Sequence, residues 1–191
     1  MMYRIEKVLN HNTVIAIHQD DHKEVLIMGK GVGFGRKVAE RIEVRPEDRL
    51  YSLQKYKERG GAKEIIKSIA PEFLELTNAV LNEAEKVFGK IDRMVLFPLA
   101  DHIAFAVKRI QNHEQISNPL TEDIRVLFHM EFKVAESIRP LLKKQFQLDI
   151  EDDEIGYVAL HIHSAIEDEK VSQAMQMARS VRECISMVEE A

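Results

Sequence analysis

The sequence has a single cysteine and no long apolar segment, and each absence excludes a class of protein. With only Cys184, the chain of 191 residues cannot form an internal disulfide or a cluster of thiolate metal ligands, which fits a reducing compartment. No apolar run approaches the ~20 residues of a membrane helix, and Met1–Lys7 lacks the apolar stretch of a secretory signal. We therefore expect a cytoplasmic protein without membrane insertion, in which Cys184 fills apolar space on a late helix.

Internal repeats and low-complexity segments are absent as well, so the chain has the composition of an ordinary folded protein. Its 45% hydrophobic content can form a proper core in one domain or in two small ones. The net charge of −5 is unevenly distributed, because residues 1–55 carry ten Lys and Arg against eight Asp and Glu, whereas residues 56–191 carry 17 against 24. Only the N-terminal part is therefore a candidate for binding a polyanion.

The hydrophobic pattern changes near residue 55. Before it, short alternating segments separated by turn residues predict four antiparallel strands and a brief fifth, at 3–8, 13–18, 24–28, 38–44 and 50–53. After it, apolar residues recur at helical spacing and predict helices at 62–69, at 72–88, after Pro98, from Leu120 toward Pro140, at 141–146, from Asp152 or Asp153, and at 171–188.

These patterns predict an α+β chain with two domains. Residues 1–55 would form a small antiparallel β-sheet domain, residues 56–64 a linker, and residues 65–191 an all-α helical bundle. Because about 55 residues of sheet bury little surface alone, we expect two copies to pair through one sheet face.

The segment from Gly29 to Lys37 combines four glycines with Lys30, Phe34, Arg36 and Lys37. Glycines allow close approach of the backbone, the cations can contact phosphates, and Phe34 can stack on a base. Composition alone leaves open a glycine-rich hairpin with incidental charges. A dinucleotide-binding loop is excluded, since no helix follows the glycines.

Asn10 and Asn12 lie in the turn after the first strand. Asparagine is favoured in turns for conformational reasons, which would explain either residue alone. Their amides could also donate to and accept from base edges if the turn lies beside the glycine loop.

Two histidines lie off the apolar faces of their predicted helices. His102 shares a face with Phe105 and Arg109 and follows Asp101, and His161 shares its side with Glu154 and Tyr157. A shared site is one hypothesis, and two unrelated surface histidines is the other.

We expect no metal site and no cofactor. His161 and His163 point ~160° apart on a helix, so one ion cannot readily bind both. The acidic run Glu151–Glu154 is most simply a helix start favoured by the helix dipole, and no hydrolase arrangement stands out.

Four segments together resemble the BglG/SacY/LicT family of transcriptional antiterminators: Lys7–Asn12, Met28–Phe34, Asp101–Ala106 and Ile155–His163. The resemblance covers nearly the whole chain. It implies an N-terminal RNA-binding antiparallel β dimer followed by the first helical regulation domain of the sugar phosphotransferase system (PTS), with the glucose-operon branch as the nearest.

The resemblance also implies roles for individual residues. His102 and His161 would be the phosphorylated histidines, supported by Asp101 and Arg109. The RNA surface would contain Lys7, Asn10, Asn12, Gly29, Lys30, Gly31, Phe34 and Arg36.

By the same resemblance, the chain is a regulator and not an enzyme. It would bind a hairpin RNA in an operon leader and prevent terminator formation, with PTS phosphocarrier and sugar permease (enzyme II) components as further partners. Intact members of the family carry a second regulation domain, whereas the resemblance here covers the RNA-binding domain and the first regulation domain. The alternative is a histidine phosphocarrier whose β domain is only an oligomerisation module.

Overall fold

In a computed structural model of the chain, residues 1–55, 61–167 and 169–189 are described. The chain divides into two compact units, Met1–Glu75 and Leu76–Ala191. Of the predicted linker, residues 56–60 lie outside the described residues, and a helix begins at Ala62 within its later part. The predicted domain boundaries therefore stay predictions.

The first unit contains a five-stranded sheet in which all neighbouring strands are antiparallel. The strands are β1 (Met2–Asn10), β2 (Thr13–His18), β3 (Glu24–Met28), β4 (Arg41–Glu43) and β5 (Arg49–Ser52). Their order is β4-β1-β2-β3-β5. Inward side chains from four strands form one apolar core: Tyr3, Ile5, Val14, Ala16, Val25, Ile27 and Ile42.

The fourth strand is shorter than predicted, and its first residues belong to the loop instead. Val38 is 64% exposed, and Ala39 has a left-handed φ of 72°, which is incompatible with an extended strand. The Ala39 amide donates to the Ile5 carbonyl at 2.8 Å, so the loop is attached to β1 before β4 begins.

The remaining described elements are a short 3-10 helix at Arg93–Val95 and eight α-helices. The α-helices are α1 (Ala62–Ser68), α2 (Pro71–Phe88), α3 (Leu96–Gln111), α4 (Thr121–Leu127), α5 (His129–Ala135), α6 (Ile138–Phe146), α7 (Asp152–Glu167) and α8 (Val171–Glu189). An antiparallel sheet followed by helices confirms the predicted α+β class.

Three helix predictions were wrong: two helix starts placed after prolines, and one helix predicted to run through an aromatic residue without a break. Pro98 and Pro140 lie inside the first turns of α3 and α6, where a missing N–H breaks no helical hydrogen bond. The single helix predicted from Leu120 is divided into α4 and α5 at Phe128, whose φ of −116° and ψ of 49° are not helical.

The last helix also differs from expectation. Cys184 is exposed, so it does not fill apolar space. The residues of α8 that are buried are Ala174 and Ala178, near its start. Within the described ranges, no helix has the length and apolar character needed to cross a membrane.

Candidate functional site

The glycine loop folds onto the turn between β1 and β2. The amide of Gly29 donates to the Asn12 carbonyl at 3.0 Å, and that of Gly33 donates to the His11 carbonyl at 2.9 Å. These bonds bring together two segments that lie about 20 residues apart in the sequence. The loop and the asparagine turn therefore form one surface.

The two asparagines use their side-chain oxygens inside this surface. The Asn10 Oδ1 atom accepts from the Asn12 amide at 3.0 Å, and the Asn12 Oδ1 atom accepts from the Gly31 amide at 2.8 Å. Each side chain keeps its NH2 group as a donor. The asparagines can therefore donate hydrogen bonds to acceptor atoms of a ligand, whereas their Oδ1 atoms are already engaged with backbone amides.

Two glycines are required by close packing. A Cβ atom at Gly33 would lie 2.2 Å from the Asn10 carbonyl oxygen, and one at Gly29 would lie 1.8 Å from Oδ1 of Asp48. Gly31 is required for another reason, since its φ of 72° is in the left-handed region.

Arg45 and Asp48 support the loop from beneath, and the sequence analysis did not identify them. The guanidinium of Arg45 donates from Nη2 to the Lys30 carbonyl at 2.8 Å and to Asp48 Oδ1 at 2.7 Å. The Asp48 side chain is fully buried and also accepts from the Arg45 amide at 2.9 Å. The only sign of this pair in the sequence is that Asp48 follows Arg45 by three residues within a predicted turn.

The outer side of the loop presents an aromatic ring and cations. Phe34 is 69% exposed, and its ring meets the His11 ring edge-on at 5.2 Å between centroids. Lys30 and Arg36 are exposed beside it, with the Arg36 guanidinium 3.7 Å from Glu40. Lys7 is exposed on β1, opposite Ile15 of β2, so it lies on a strand and not on the loop.

In the helical unit, His102 of α3 and His161 of α7 lie side by side. Their ring centroids are 5.4 Å apart, and the Tyr157 ring lies 5.6 Å from that of His102. Two histidines distant in the sequence thus share one site. Asp101 is half-buried beside them on α3, and its proposed support of His102 stays a prediction.

A buried carboxylate joins this site. Glu154 of α7 is 1% exposed, its Oε2 atom lies 3.2 Å from His102 Nε2, and its Oε1 atom accepts from Arg109 at 2.6 Å. Burial alone raises the pKa of Glu154, but the approach of His102 and Arg109 outweighs it, so the pKa is lowered from its ordinary value of 4.5. Glu154 therefore stays ionised.

The interpretation of Glu154 as part of a simple acidic helix start was thus incomplete. Its sharing of a helix side with Tyr157 and His161 was the signal that pointed to this site.

His163 lies in a different environment. Its Nδ1 atom is 2.9 Å from Glu131 and its Nε2 atom 3.3 Å from Glu169, and the Phe128 ring lies 4.3 Å from its own. In the part of the chain that the structure describes, no group of His, Cys, Asp and Glu side chains could hold a metal ion.

Comparisons with known proteins match both units. A model of the CAT RNA-binding domain matches residues 3–60, and a model of the PRD domain matches residues 78–165. A crystal structure of GlcT CAT-PRDI aligns with a TM-score of 0.74 and 31% sequence identity, over 87% of this chain and 99% of that one.

The chain belongs to the BglG/SacY/LicT family of transcriptional antiterminators. The resemblance to this family that the sequence showed is therefore confirmed. Members of the family are regulators and not enzymes. The CAT match contains the glycine loop, and the PRD match contains both His102 and His161.

Two curated relatives have names that contain Glc. The "GlcA/glcB genes antiterminator" of Staphylococcus carnosus is 32% identical over 87% of this chain and 58% of its own length. "Protein GlcT" of Staphylococcus epidermidis is 28% identical over 98% of this chain and 66% of its own length. The chain thus spans less than two thirds of each relative.

Proposed function

We propose that this chain is a glucose-type transcriptional antiterminator of the cytoplasm. It binds a hairpin RNA in the leader of a sugar-uptake operon and stabilises it against the overlapping terminator. The observation that carries this proposal is the docking of the glycine loop on the asparagine turn, which leaves Phe34 and the cations facing outward. The names of the staphylococcal relatives support the glucose type.

Each part of the surface has a role that suits single-stranded or irregular RNA. Phe34 stacks on an unpaired base, because every base offers a flat face. Asn10 and Asn12 donate their NH2 groups to acceptors on base edges. Lys7, Lys30 and Arg36 contact phosphates, and Gly29 and Gly31 allow the backbone to approach the RNA closely.

The helical unit regulates this activity. Phosphocarrier and enzyme II components of the PTS phosphorylate His102 and His161, with Asp101 and Arg109 as supporting residues. The added charge changes the packing of the helices or the pairing of two copies. If replacing each histidine in turn by alanine leaves phosphoryl incorporation from the phosphorylated carrier unchanged, this assignment is wrong.

RNA binding is tested with the whole chain, a leader hairpin RNA and a DNA duplex of matched length. We expect preference for the RNA, and loss of ~1–3 kcal/mol of binding free energy in Phe34→Ala, the usual contribution of base–aromatic stacking. Val38→Ala is the matched control, since Val38 is equally exposed in the same loop but is not aromatic. A chain that binds neither RNA nor DNA yet passes phosphate to an acceptor would instead be a phosphocarrier.

A further inference from the structure

Glu154 is an unusual residue for the first turn of a helix, because it is charged and almost fully buried. Its neighbours in that turn, Asp152 and Asp153, are more exposed. The acid is retained there by two partners on α3, His102 and Arg109. It therefore joins the start of α7 to the helix that carries the first histidine.

The position of this carboxylate conflicts with a phosphoryl group. Oε2 of Glu154 lies 3.2 Å from Nε2 of His102, so it occupies the space that phosphorus and its oxygens would need on that nitrogen. A phosphoryl group also brings a charge of about −1.5 to −2 at neutral pH and several strong acceptors. Arg109 is the cation in contact with Glu154, and a dianion competes for it more strongly than a carboxylate does.

We propose that phosphorylation of His102 displaces the Glu154 carboxylate from Arg109 and so releases the first turn of α7. This inference rests on the proposed function, since it assumes that His102 accepts phosphate. Neutral His102 reacts as the tautomer that carries its proton on Nδ1, with Nε2 no longer donating to Glu154. The Nε2 lone pair then forms the new N–P bond while the donor N–P bond breaks and leaves its electron pair on the donor imidazole. The acceptor ring loses its N–H proton, and the donor ring gains one, so the step balances without a further reactant.

The first turn of α7 is well placed to transmit such a change. Asp153 accepts from the Asn118 amide at 3.1 Å and from the hydroxyl of Thr121, at the start of α4. Asp152 binds Arg125 of α4 at 2.5 Å and also Arg139 of α6. Three consecutive acids thus attach this turn to α3, α4 and α6.

The connection continues to the last helix. Arg182 of α8 binds Asp123 of α4 at 3.0 Å and the Pro119 carbonyl at 2.6 Å. Release of Glu154 therefore reaches α8 through α4.

The test uses the whole chain, phosphorylated either by the phosphorylated carrier protein or chemically by phosphoramidate. Label on His102 is located by mass spectrometry, and amide hydrogen exchange is measured over residues 151–156. We expect phosphorylation to speed exchange in this turn at least tenfold in the unmodified sequence. In Glu154→Gln, we expect label from phosphoramidate to increase several-fold and the change in exchange on phosphorylation to fall by more than half.

Glu151→Gln is the matched control, because Glu151 is exposed, has the same charge and lies three residues before Glu154. Unchanged exchange after His102 is labelled would overturn the inference, and this comparison needs no variant. The inference would also be overturned if phosphorylation changed amide exchange in Glu154→Gln as much as in the unmodified sequence. Absence of label on His102 from either donor would overturn it as well. Label from phosphoramidate alone, with the expected exchange, would support the displacement of Glu154 while contradicting regulation by the carrier.

Discussion

Asp48 determines the shape of a surface that it does not itself reach. Its buried carboxylate holds Arg45, and Arg45 in turn holds the Lys30 carbonyl. The absent side chain of Gly29 leaves the space that this carboxylate occupies. The start of the glycine loop at Gly29 and the turn that contains Arg45 and Asp48 therefore depend on each other, and a change in either should alter the position of Lys30.

We predict that Asp48→Asn weakens RNA binding without removing any group that contacts RNA. The amide keeps the size of the side chain but loses the charge that orients Arg45, and a hydrogen bond to a charged group contributes ~1.5–3 kcal/mol. Thermal unfolding should show a loss of stability of that order, and titration with the hairpin should show weaker binding.

Glu47→Gln is the control for that comparison. Glu47 is exposed and lies 3.5 Å from the same guanidinium, so its charge is lost without loss of a buried partner. Equal effects of the two substitutions would show that the buried contact does not position the loop.

The residues of the loop surface differ in how far the sequence reveals them. Gly29, Gly31 and the asparagines could be proposed from composition and turn chemistry, because those residue types have few other uses in such positions. Arg45 and Asp48 could not, since a charged pair in a turn is usually solvated. What distinguishes them is burial, and burial depends on the docking of the whole loop.

At the scale of elements, helical periodicity located the helices but not the break between α4 and α5. Apolar residues continue in register through Phe128, so the pattern indicates one helix. The break accompanies burial of Phe128 against the ring of His163 on α7. A contact between residues far apart in the sequence has overridden local preference, and periodicity contains no information about it.

We predict that acid lowers the stability of the helical unit, because the first turn of α7 contains two carboxylates that the fold keeps ionised. The pKa values of Asp152 and Glu154 are both lowered: burial raises them, but the paired arginines and His102 outweigh it. A carboxylate whose pKa is lower in the folded state than in the unfolded state stabilises the fold when the pH is above its ordinary pKa, which is 3.8 for Asp152 and 4.5 for Glu154. That contribution to stability is lost as the pH falls through the lowered pKa values.

Urea unfolding followed by circular dichroism at several pH values between 7 and 3 measures this loss. We expect the free energy of unfolding to decrease below about pH 4.5, and Asp152→Asn to decrease less steeply than the unmodified sequence. Asp149→Asn, which removes an exposed carboxylate just before the helix, is the control. An equal slope in all three proteins would contradict this role for the turn.

At the scale of the whole molecule, charge is separated along the chain. The net charge of −5 opposes RNA binding, but residues 1–55 carry a small positive excess. Within them, Asp20 and Asp21 lie in the β2–β3 turn, at the opposite end of β2 from the asparagine turn. The glycine-loop end is thus more positive than the average suggests.

We therefore predict that RNA affinity falls with salt to an extent set by a few cations. Lys30→Ala should reduce the slope of log affinity against log salt by about 0.7–0.9, the value for one phosphate contact. Lys23→Ala is the control, because Lys23 pairs with Asp21 at the far end of the sheet. Equal slopes for the two variants would place Lys30 outside the phosphate contacts.

The exposure of Cys184 has a practical consequence. As the single thiol of the chain, it lies on α8 and is accessible to solvent. A maleimide dye should therefore attach at one known position without any preparatory mutation. Fluorescence from that dye would report in real time on the surroundings of the last helix, and the same thiol requires a reductant during storage to prevent cross-linking between molecules.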